Sequence, residues 1–153
     1  MASIQKTVSI TKSSGTTAYS AGDVINNSGE TTPFTIDLTE LSNKPAWLLG
    51  NQMISSSETG TPTISLYLFS ESCTKAADND AFAPTDAQMK KCVATITHDT
   101  WKAFTANKKS TAKAEFPESI QMGTLYGVLV AESAYTPISA EEITCKISIF
   151  QEV

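Results

Sequence analysis

Ile143-Thr144-Cys145-Lys146-Ile147-Ser148-Ile149-Phe150 places Ile143, Cys145, Ile147 and Ile149 on one parity and Thr144, Lys146 and Ser148 on the other. Successive side chains of an extended chain point to opposite faces, so this stretch reads as a strand with one buried and one wet face. The same alternation recurs upstream. Across 4–12, Ile4, Val8 and Ile10 oppose Gln5, Thr7, Ser9 and Thr11. Phe34, Ile36 and Leu38 alternate behind Pro33, which stands at a strand start where a missing N–H donor is tolerated.

Thr63 to Ser70 carries Ile64, Leu66 and Leu68 on one face and Tyr67 and Phe69 on the other, which marks it as a central strand. Cys92 to Thr97, Ala112 to Phe116 and Thr124 to Glu132 read as further strands, the last strongly buried through Leu125, Val128, Leu129 and Val130. Ala46 to Gly50 leads into Asn51 to Ser57, and Ser55 to Gly60 is expected to close that segment as a hairpin loop. Ser13-Ser14-Gly15, the Gly22-Asp23 turn before Val24-Ile25, and the polar run Asn26 to Thr32 punctuate the first part of the chain.

Helical signals are few. Thr85 followed by Gln88 makes a capping box, predicting a helix of about two turns through Met89, Lys90 and Lys91. Ser139-Ala140-Glu141-Glu142 repeats the pattern and predicts a single turn. Several short strands separated by turns, without the helical crossovers of a parallel sheet, imply an all-β fold. The expected architecture is an antiparallel β-sandwich of jelly-roll type with one or two short helices. Neither a linker nor an internal repeat divides it, so 1–153 is read as a single domain, with Met1 to Lys6 (1–6) as a short N-terminal arm that orders on contact.

Composition agrees with this reading and excludes several function classes. The chain has 153 residues, of which 41% are hydrophobic and 18% charged, and Ser and Thr supply about a quarter, a bias towards half-buried pleated surfaces. All eleven basic residues are Lys, and the net charge is −5. Arg is the side chain that grips phosphate and guanine edges through two parallel hydrogen bonds, so nucleic acid is not an expected partner. No apolar run approaches the ~18 residues of a membrane span, and Met1-Ala-Ser-Ile-Gln-Lys lacks the apolar core of a signal peptide. The expectation is a soluble product made in the cytoplasm, with no membrane partner; if it acts outside a cell, a route such as lysis rather than a classical export signal takes it there. Cys73, Cys92 and Cys145 are odd in number and without CxxC spacing, which fits neither a structural zinc site nor a dense disulfide framework; one disulfide with a leftover thiol stays open.

Catalytic groups are sparse. His98 is the single histidine, beside Asp99, and reads as a surface or turn residue rather than a general base; one histidine also excludes a His-based metal site. No nucleophile elbow, HExxH or P-loop occurs. Asp78-Asn79-Asp80 offers carboxylates at alternate positions, as calcium loops do, but lacks their glycine and distal glutamate, and a solvated turn explains it better. Cys145 lies among isoleucines and reads as core. No catalytic, cofactor-binding or metal residue is therefore assigned, and the protein is not read as an enzyme. Of Trp47, Trp101, Tyr19, Tyr67, Tyr126 and Tyr135, most are expected in the core, while Trp101, in a polar neighbourhood before Lys102, is the candidate for an exposed ring.

Two stretches carry a resemblance. Ala18-Tyr19-Ser20-Ala21-Gly22-Asp23-Val24-Ile25 matches an "AYxAGDV" pattern, and Leu66-Tyr67-Leu68-Phe69 ("LxLF") precedes Asp78-Asn79-Asp80-Ala81-Phe82-Ala83-Pro84-Thr85-Asp86, a "DNxAFxxTD" turn. In this order and at these separations they resemble small tailed-bacteriophage virion structural proteins, over roughly residues 4 to 96. The resemblance implies a head decoration or cement protein on the outer capsid surface of the virion. Its implied partner is the major capsid protein, usually met by a homo-oligomer, with no cofactor and no catalytic residue to carry over. Beyond about residue 97 the likeness fades, leaving a loop with Trp101, Lys108 and Lys109 particular to this chain. The alternative is a carbohydrate-binding or adhesive module of head-fibre or receptor-binding type, with Trp101 stacking on a glycan.

Overall fold

Alternating sequence becomes strand along most of the chain. The strands are β1 (Ala2–Thr11), β2 (Asp23–Ile25), β3 (Phe34–Asp37), β4 (Ala46–Ser55), β5 (Ile64–Phe69) and β6 (Cys92–His98). They continue with β7 (Lys102–Ala103), β8 (Lys108–Lys113), β9 (Ser119–Ile120), β10 (Thr124–Ala131) and β11 (Glu142–Gln151). Among the described residues one helix, α1 (Asp86–Met89), interrupts them between β5 and β6. The computed structural model describes residues 2–11, 17–27, 29–39, 46–73, 77–114, 119–120 and 123–151; the break expected at Ser13-Ser14-Gly15 lies outside them.

Pairing is antiparallel throughout and nested. β1 pairs with β11, β2 and β3 with β10, β4 with β8, and β5 with β6, as if the chain were one long hairpin with α1 near its tip. Rolling that hairpin brings β11 against β4 and β10 against β5. The result is two sheets, β1-β11-β4-β8-β7 with β9 also on β4, and β2-β10-β5-β6 with β3 also on β10. This is the jelly-roll strand order, an antiparallel sandwich built from two interlocked Greek keys. Rolling satisfies the backbone of the central strands on both sides and buries one face of each sheet against the other.

Between the sheets Leu48, Met53, Leu66, Leu68, Leu125, Leu129, Ile143, Ile147 and Ile149 interdigitate, each with essentially no exposed surface. Such side chains contribute about 1.5–3 kcal/mol each relative to exposure. Cys145 lies in the same layer, as its isoleucine neighbours predict, and burial raises its pKa to about 12. β5 is central, between β10 and β6, and apolar on both faces. Its outer face is covered by chain rather than by a third sheet: Val24, Phe69, Cys73, Val128 and Val130 form a second buried cluster, with Phe82 packed on Tyr67 at 5.0 Å and Phe69 at 6.3 Å.

Several expectations are corrected. Residues 2–6 of the supposed arm are the first half of β1, paired with β11 from Ala2↔Gln151 to Lys6↔Ile147. Ser55 to Gly60 closes no hairpin, because β4 and β5 belong to different sheets and the segment passes between them. α1 keeps its capping box, Gln88 N donating to Thr85 Oγ1 at 3.3 Å and Thr85 N to Gln88 Oε1 at 2.8 Å, but is a single turn. It stops because Lys91 already pairs with Ser70 at the mouth of β6. Ser139-Ala140 is a turn in which Ala140 is left-handed at φ 57°, not a helix; Glu142 opens β11, and Glu141 Oε1 accepts from Ser55. Trp101, Lys108 and Lys109 share no loop, since both lysines lie in β8.

Candidate functional site

The two stretches with the virion-protein pattern fold into one unit. Gly22 takes the left-handed conformation (φ 95°), which glycine adopts without a Cβ clash, and its N–H donates to Ala131 O at 2.7 Å. That turn sets β2 beside β10 and leaves its other edge facing 78–82. Val24 N donates to Asp80 O, Asn79 N to Val24 O and Phe82 N to Gly22 O, each at 2.8 Å. Asn79 is left-handed at φ 63°, where Asn is among the better-tolerated residues. Asp78 Oδ1 accepts from Tyr19 Oη at 2.7 Å and from Asn26 N at 3.0 Å, joining residues 59 apart in sequence in the first case. Asp78-Asn79-Asp80 is thus a partly buried clasp: Asp78 holds the Tyr19 segment, and no group of three or more ligating side chains suited to a metal ion occurs among the described residues.

From this clasp a polar seam runs through the protein. Tyr19 and Tyr135 stack, ring centroids 5.3 Å apart, and burial with nearby carboxylates pushes both phenols well above their ordinary pKa. Glu141, one of those carboxylates, is 2% exposed. Its Oε1 accepts from Ser55 Oγ and lies 3.9 Å from Lys108 Nζ, and its Oε2 accepts from Ile138 N at 3.2 Å. Lys108 is buried as deeply, donates to Thr59 O at 2.6 Å and stands 5.4 Å from the Trp101 ring centroid. Burial lowers the lysine pKa and Glu141 opposes that shift. The Trp101 indole N–H donates to Pro62 O at 2.6 Å, and His98 closes the seam 6.3 Å from the indole, fully buried and with neither ring nitrogen hydrogen-bonded among the described residues. These groups tie β4, β8, the 56–63 segment and the turn before β11 to one another. Chemically they are engaged with each other rather than aimed into a cleft.

Outside the seam lies a groove. Thr100, Trp101, Lys102, Phe104, Lys109 and Thr111 line most of an open depression of about 400 Å³ along β7 and β8. Lys102 and Lys109 are direct cross-strand partners, and Lys102 Nζ stands 5.6 Å from the Phe104 ring centroid. Phe104 is 46% exposed.

His98, expected at the surface or in a turn, is core, because the inward parity of Ile96 continues to it through the end of β6. Trp101 is half-buried, anchored on one side and open to the groove. Cys73 and Cys145 are buried, Cys92 is half-buried, and no disulfide joins any two of them. Lys108 and Glu141 escape sequence reading: in Lys108-Lys109-Ser110 nothing local says which lysine turns inward, and Glu141 looked like part of a helix cap. The chain matches no protein-family model, and no curated protein matches it.

Proposed function

We propose that this chain is a bacteriophage virion structural protein of the capsid-decoration or cement type, which binds the outer head surface and stabilises the shell. One observation carries the reading: the two segments that resemble tailed-phage virion proteins are paired with each other, Tyr19 to Asp78 and Gly22–Val24 to Asn79–Phe82, so the resemblance follows a folded unit rather than scattered residues. Jelly rolls are a common architecture of viral capsid domains, which agrees by analogy. The partner is the major capsid protein, met by a homo-oligomer around a local symmetry axis and repeated over the shell, so that modest contacts gain avidity.

The test is reconstitution. Purified protein mixed with undecorated heads is expected to co-sediment at a fixed ratio per capsomer and to raise the temperature at which heads release DNA. Protein that neither adds to such heads nor is found in virions by mass spectrometry sinks the proposal.

A further inference from the structure

We infer that the groove along β7 and β8 is a binding site for an acidic saccharide, whose carboxylate is held between Lys102 and Lys109. Like charges directly opposite each other on an antiparallel pair destabilise it, yet Lys102 faces Lys109 there. Neither lysine forms an ion pair among the described residues. Among the described residues no carboxylate lines the groove, although the chain as a whole is acidic; Asp99, next to Thr100 in sequence, accepts a hydrogen bond from Thr100 Oγ1 at 3.0 Å. The site therefore concentrates positive charge on a protein of net −5, and an anion relieves the repulsion between the two ammonium groups.

The rest of the lining says what kind of anion. Phe104 is largely exposed, and Trp101 is held by its bond to Pro62 and by the Lys108 cation, so two aromatic surfaces border the groove at little further entropic cost. Strand parity puts Thr111 on the same outward face as Lys109, and Thr100 adds a second hydroxyl. Aromatic surface for the apolar face of a sugar ring, hydroxyls for its hydroxyls and a lysine pair for its acid group fit a short uronic- or sialic-acid saccharide. About 400 Å³ suits a ligand of that size. The inference is independent of the capsid reading, since either can hold without the other.

Titration of the intact protein with sialyllactose and with tetragalacturonate, followed by calorimetry and tryptophan fluorescence, tests it. At least one of these acids is expected to bind, with lactose roughly tenfold weaker than sialyllactose if that is the ligand. Lys102→Gln and Lys109→Gln are each expected to weaken binding roughly tenfold, the loss of one charge-assisted hydrogen bond, and Phe104→Ala to weaken it as well. All three side chains are at least partly exposed, so circular dichroism is expected to show these variants folded. Absence of binding by both acids, or binding indifferent to the lysine substitutions, overturns the inference. Hexaglutamate binding as tightly as the saccharides also overturns it, in favour of an acidic peptide.

Discussion

His98 shows how far a single side chain can depart from its local sequence. Polar neighbours Thr97 and Asp99 surround it, yet its ring is buried beside Trp101, and burial, partly opposed by Asp99, lowers its pKa to about 4. The sign of the consequence follows. Above about pH 6.5 the imidazole is neutral in both folded and unfolded chains; below that the unfolded chain takes up a proton the folded protein refuses. Stability is therefore lost progressively as pH falls from about 6.5 to about 4, by up to about 3 kcal/mol. Denaturant unfolding of the wild type and of His98→Leu should show this as a stability difference that shifts against the wild type by that amount between about pH 7 and about pH 4. A difference that stays constant over that range would mean the folded imidazole titrates normally. Lys108 and Glu141 teach a related lesson: two charges unremarkable in sequence are both buried, and removing one partner would strand the other.

Strands were legible where one face is wet. β11 and β3 follow their alternation, and Ile143, Cys145, Ile147 and Ile149 all point inward. β8 was only half legible, since Lys108 and Ser110 occupy the inward parity that apolar residues usually mark. The pairing of β3 with β10 rests on a contact no pattern reveals: Gly127 lies opposite Phe34, and a Cβ on Gly127 would stand 2.2 Å from the Phe34 ring. The ring fills the place of the absent side chain. Gly127→Ala is expected to cost about 1–3 kcal/mol in thermal or denaturant unfolding, and clearly less in a Phe34→Ala background. Equal costs in both backgrounds would show that the ring swings aside freely.

For the molecule as a whole, the N-terminal strand closes the roll. β1 pairs with β11 along ten residues, so the first and last strands of the chain lie side by side. An arm that orders only on a capsid could be removed without consequence for the isolated protein. Deleting residues 2–6 is instead expected to lower stability by on the order of 1 to 5 kcal/mol, the loss of five cross-strand pairs, and to promote self-association through the bared edge of β11. An unchanged melting temperature and a monomer as soluble as the full chain would return those residues to the status of an arm.

The amino-acid sequence by itself determined the strands whose apolar and polar residues alternate, the central position of β5, the capped turn at Thr85 and the burial of Cys145. Each of these depends on period or on neighbours within a few residues. Only the tertiary structure decided that 2–6 belong to a sheet, that Ser139-Ala140 turns rather than coils, that Lys108 and Glu141 meet, and that Lys102 confronts Lys109 across a groove. Those outcomes depend on which distant strands become neighbours when the long hairpin rolls. Parity says that a side chain faces one way or the other, whereas what it faces is supplied by chain tens of residues away.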